Sequence, residues 1–61
     1  MFDVGSRVQI INHSEPSCNG EYGTVTSITT GYDGYTKFYS VQLDEDQKMY
    51  CLCIDDELME G

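Results

Sequence analysis

The sequence predicts an all-β domain, and three observations carry that expectation. Its 61 residues include no alanine and no tryptophan. Four valines, four isoleucines and five threonines are β-branched, and five tyrosines and two phenylalanines join them. Such side chains suit a pleated, half-buried surface better than a helix. An Asp33-Gly34 pair also stands between two apolar-rich runs, the strongest short-range signal for a β-hairpin.

Each element follows in order. Gly5-Ser6 turns the chain into a first strand over residues 7–11. Residues 12–20 hold His13, Ser14, Glu15, the single proline Pro16, Asn19 and Gly20, and read as a loop. Gly20 and Gly23 bracket Glu21-Tyr22, and a second strand runs over 24–30. If Asp33 and Gly34 form a two-residue turn, antiparallel partners sum to 67. Ile28 then faces Tyr39 and Thr26 faces Val41. That register sets Val25 on the face opposite Ile28. Both have core character, so a bulge near Thr26-Ser27 is expected to restore the phase.

The third strand covers 37–43, a turn covers 44–47 and the fourth strand covers 49–54. Strict alternation admits one face of that last strand to the core, and Tyr50, Leu52 and Ile54 are expected there. Met49, Cys51 and Cys53 would then form an outward apolar patch suited to self-association or a partner. Residues 55–60 predict one helical turn and a short strand. Four to five short antiparallel strands without a long helix point to one small closed barrel over 1–61, since closure hides the sheet edges.

Charge narrows the function. Three basic against eleven acidic side chains give a net charge of −8. Eight of the acids (Asp33, Asp44, Glu45, Asp46, Asp55, Asp56, Glu57 and Glu60) fall in residues 31–61, against Lys37 and Lys48 alone. Phosphate contact relies on Lys and Arg, so direct nucleic-acid binding is not expected. No apolar run approaches the ~18 residues of a membrane span. A domain this size buries only about 60% of its unfolded surface, which leaves little room for a buried active site. No enzyme activity is expected. The start Met1-Phe2-Asp3-Val4-Gly5 lacks a basic segment and an apolar core, so a cytoplasmic location with three reduced thiols is expected. On that basis the glycosylation-like Asn12-His13-Ser14 is a chance match.

The residue types that could carry chemistry are few. His13, Cys18, Cys51 and Cys53 have zinc-ligand character, yet Cys51-Leu52-Cys53 is not the usual knuckle spacing. Cysteine also packs as a small hydrophobe, so neither zinc nor another cofactor is expected. One loop histidine does not make a Cys-His nucleophile. Counted from Asp44 as a calcium loop, Lys48 takes a ligand position and Met49 the glycine position, so that match fails. The acidic clusters 44–46 and 55–57 read locally as a solvated turn and a charged helix start, and more sharply as an acidic face for a basic partner. Tyr32 and Tyr35 flank the hairpin turn and could stack across it, or serve as aromatic anchors.

Two segments carry a resemblance. Val4-Gly5-Ser6-Arg7-Val8-Gln9-Ile10, a loop, and then Gly20-Glu21-Tyr22-Gly23-Thr24-Val25 resemble the opening of small SH3-like barrels of the KOW type, with their G-x-x-V-x-I and G-x-x-G-x-V patterns. Tyr39 to Asp44 and the closing Asp56-Glu57-Leu58 fit the same pattern, so the likeness spans nearly the whole chain. It implies the barrel and a binding role without chemistry. Similar barrels occur in ribosomal and transcription proteins, small photosynthetic subunits and phage proteins. Members that bind RNA use basic loops, whereas residues 12–21 here hold no Lys or Arg.

The expected function is therefore a non-enzymatic interaction module that binds a protein with a basic surface through Tyr32, Asp33, Tyr35, Asp44, Glu45 and Asp46. A phage or mobile-element inhibitor of a host defence protein is one form of it. An accessory subunit, a KOW-like RNA-binding module or a small-ligand-binding oligomer are the alternatives. The chain is expected as a monomer or homodimer.

Overall fold

In a computed structural model, residues 2–61 are described, and they form one antiparallel sheet. Its strands are β1 (Arg7–Ile10), β2 (Tyr22–Thr30), β3 (Lys37–Leu43), β4 (Tyr50–Cys53) and β5 (Leu58–Glu60), with a 3-10 turn at Asp55–Glu57 before β5. The all-β expectation, the helical turn and the short closing strand are all present. The spatial order is β4-β3-β2-β1-β5.

The sheet is not closed. Among the described residues no ladder joins β4 to β5, which remain its two edges. The reason lies in length: β4 has four residues and β5 three. The β1–β2 loop instead lies along the free edge of β4. The His13 ring bonds the Leu52 carbonyl through Nε2 at 2.9 Å, and Cys18 joins Cys51 in a disulfide with Cα atoms 6.2 Å apart. Covering an edge this way serves the end that closure would.

Alternation builds the core from one face. Val8 and Ile10 from β1, Val25 from β2, Tyr39, Val41 and Leu43 from β3, and Leu58 from β5 are buried. Tyr39 meets Phe2 edge to face, with ring centroids 5.7 Å apart. The expected bulge is present: Val25 pairs Val41, and Ser27 pairs Ser40. Val25, and not Thr26, faces Val41. Thr26 takes the extra position and its hydroxyl donates to the Ser40 carbonyl at 3.1 Å. Ile28 does face Tyr39, yet it is 36% exposed. Gly23 must be glycine for a steric reason, since a Cβ there would lie 2.4 Å from the Gln42 carbonyl oxygen and 2.6 Å from Val41.

Two expectations about β4 are overturned. Cys51 and Cys53 face inward, while Tyr50 and Leu52 are 55% and 60% exposed. Pairing of Cys51 with Val41 and Cys53 with Tyr39 sets both sulfurs beside the core of β3. The thiols are also not all reduced: Cys18 and Cys51 are bonded across 33 residues, and buried Cys53 is the free one.

The 67 register holds through Thr30–Lys37, but the turn is not a two-residue one. The Gly31 amide donates to the Thr36 carbonyl at 2.7 Å and the Gly34 amide to the Gly31 carbonyl at 3.1 Å. Tyr32 and Asp33 thus sit inside a tight turn that Gly34 leaves at φ +76°. A β-branched side chain resists that left-handed region at a cost of about 1–2 kcal/mol. Gly34→Val should therefore lower the urea midpoint measurably, and an unchanged midpoint would mean that the turn has another form.

Candidate partner-binding site

The outer half of the β2–β3 hairpin buries little. Residues 26–30 of β2 are all exposed, and at the tip Tyr32 and Tyr35 stand almost wholly in water. A chain segment that contributes so little to the core needs local bonds to keep its shape. Asp33 supplies them. Its Oδ1 accepts from the Tyr35 and Thr36 amides at 2.9 and 2.8 Å, and its Oδ2 accepts from the Thr36 hydroxyl at 2.5 Å. Lys37 Nζ adds a bond to the Thr30 hydroxyl at 2.9 Å across the strands. Thr29, Thr30, Gly31, Tyr32, Thr36 and Phe38 line an open groove beside the turn.

These bonds leave an electrostatic mark. The Thr36 hydroxyl first, then the Thr36 and Tyr35 amides, hold the Asp33 carboxyl down to about 2 from its ordinary 3.8. A folded pKa below the unfolded one adds stability above pH ~4 that disappears as pH falls toward 2. The parent should therefore lose more stability between pH 4 and 2 than Asp33→Asn, followed by urea midpoints. Parallel pH profiles would mean that Asp33 does not fasten the tip.

The expected acidic residues do not share this rim. Asp44, Glu45 and Asp46 follow the far end of β3, whose seven residues span about 23 Å at ~3.3 Å per residue. Nor is Asp44 unpaired. Arg7 holds it with both guanidinium nitrogens and also donates to the Thr24 hydroxyl at 2.8 Å. The Arg7 bond lowers the Asp44 pKa. Both side chains are about half exposed, so water screens the pair and it adds little to stability. Asp46 is tied into its own turn, accepting from the Lys48 amide at 3.1 Å. Glu45 is exposed. The tip and the acid turn are two surfaces, and only Asp33 belongs to the tyrosine one.

A second cluster went unseen in the sequence. The β1–β2 loop, β4 and the 3-10 turn bring ligand atoms of His13, Cys53 and Glu57 within 4.8 Å of one another. His13 Nδ1 accepts from the Glu15 amide at 2.9 Å, so Nε2 carries the proton given to Leu52. Glu57 Oε1 accepts from the Ile54 amide at 2.9 Å. Burial first, then the Glu57 charge, pushes the Cys53 thiol up to about 11. No signal in the sequence linked Glu57 to the cysteines, because only the fold brings the 3-10 turn under the loop. Among the described residues no helix is long and apolar enough to cross a membrane. No family model, characterised protein or solved structure matches the chain.

Proposed function

We propose that the chain is a non-enzymatic interaction module that docks on a protein partner through the tip of the β2–β3 hairpin. The observation that carries this reading is the tip itself. Two tyrosines are presented to water by a turn that Asp33 braces with three hydrogen bonds. Exposed aromatic rings on a preorganised support are the residues from which interface hot spots are made. The scaffold is read as an SH3-like barrel in which the Cys18–Cys51 link and the His13–Leu52 bond stand in for a β4–β5 ladder. A net charge of −8 favours a basic partner and fast, salt-sensitive association. It suits an inhibitor of a basic, nucleic-acid-handling protein, docked by the tyrosines and steered by the acids that lie away from the tip.

Affinity capture from a host lysate at low and high salt tests the reading, with Tyr32→Ala/Tyr35→Ala beside the parent. Both rings lie outside the core, so the variant should fold like the parent. A partner held by the parent and lost by the variant is the expected result. The same partners held equally by both, at either salt, would place the working surface elsewhere.

A further inference from the structure

We propose that His13, Cys53 and Glu57 form a mononuclear zinc site, completed by water. One donor comes from each of three segments, and their ligand atoms already lie within 4.8 Å of one another. Bonds of about 2.0–2.3 Å to a tetrahedral ion place donors roughly 3.5 Å apart. The remaining contraction is about an ångström. His13 and Glu57 are half-buried at the edge of the fold and can close toward the fixed, buried Cys53.

The donor chemistry selects the ion. A thiolate and an imidazole favour zinc over magnesium or calcium, which take oxygen ligands. The charges also balance. Thiolate and carboxylate carry −2 together, neutral imidazole adds nothing, and the dication cancels them, so the core gains a neutral unit where two bare anions would be costly. Two of the three donors, His13 and Glu57, are backed as metal ligands usually are. The His13 ring is held at both nitrogens by Leu52 and Glu15, and the ion takes one of them in exchange for one of these bonds. Glu57 is held through Oε1, which leaves Oε2 for the ion. The disulfide removes Cys18 and Cys51 from the competition, so Cys53 is the thiol that remains. The sequence expectation against zinc rested on His13 with three cysteines; this set is a different one, and it is independent of the hairpin tip.

The test uses the full chain, metal-stripped and kept unreduced so that Cys18 and Cys51 stay bonded. Zinc is titrated against a chromophoric chelator and cobalt is added in parallel as a spectroscopic probe. One zinc per chain is expected, with a melting temperature that rises with zinc and a sulfur-to-cobalt charge-transfer band. Glu57→Gln keeps an acceptor for the Ile54 amide, and it should weaken zinc binding at least as much as the roughly 10–100-fold loss that follows removal of an outer ligand support. Cys53→Ala should abolish the cobalt band, and Asp56→Asn should bind like the parent. No zinc bound by the parent at micromolar concentration overturns the site. So does parent-like affinity in Glu57→Gln, or a cobalt spectrum of the parent without the sulfur band, which hold even where Cys53→Ala does not fold.

Discussion

Reducing the Cys18–Cys51 disulfide is expected to destabilise the domain by about 2–5 kcal/mol, the usual cost of losing a native bridge in a small domain. The bond closes a loop of 33 residues, between the ~15-residue and ~100-residue cases that chain entropy places near 3 and 4.7 kcal/mol. At about 0.05–0.15 kcal/mol per residue, a chain of 61 residues has roughly 3–9 kcal/mol in all. The loss is therefore comparable to the whole stability. It also frees the loop that lies along β4, so the His13–Leu52 bond should be lost with it. Melting curves with and without a dithiol reductant, and of Cys18→Ala/Cys51→Ala, make the measurement. Both routes should lower the midpoint, and the alanine pair should lower it at least as far, because it also removes two sulfurs buried in the core. Coincident melts of all three samples would show that the bridge holds nothing together.

That bridge also explains which parts of the fold the sequence could reveal. Strand positions were legible because β-branched and aromatic runs alternate between clear turn residues. The bulge was legible because Val25 and Ile28 cannot both face inward without one. The inward face of β4 was not. Met49, Tyr50, Cys51, Leu52, Cys53 and Ile54 are apolar on both faces, so periodicity had no contrast to work with. Area alone favoured Tyr50 and Leu52. The choice is made instead by Cys18, far away in the chain, and by pairing with Val41 and Tyr39. The same limit applies to the site. Exposed tyrosines at a turn could be read locally, whereas the separation of that turn from Asp44 depends on the run of β3 between them. The meeting of His13, Cys53 and Glu57 depends on loop, strand and 3-10 turn at once.

Tyr39→Ala is expected to have the largest effect of any single substitution, about 3–5 kcal/mol by analogy with other large aromatic truncations. Tyr39 is 1% exposed and sits in the middle strand pairings, with Ile28 on one side and Cys53 on the other. Phe2 closes over it edge-on. Truncation thus removes the largest buried ring and leaves Phe2 without its partner, a pair worth about 0.5–1.5 kcal/mol beyond its area. For a domain of this size each kcal/mol moves the melting point by about 4–8 °C, so the variant's melting point should fall by roughly 12–40 °C. Tyr39→Phe separates ring from hydroxyl. Burial pushes that hydroxyl's pKa up, against a pull from the Phe2 backbone, and its hydrogen bond to the Asp55 carboxylate raises it further, so it is un-ionised at neutral pH. Its removal should cost about 1.5–3 kcal/mol, the worth of a hydrogen bond to a charged group. Cys53 reports on the same cavity, because it is fully buried and pairs directly with Tyr39. Its reaction with a thiol reagent should be slow in the parent and in Tyr39→Phe and fast in Tyr39→Ala. Equal rates in all three would mean that Tyr39 does not seal the core, and the order of strands around it would have to be revised.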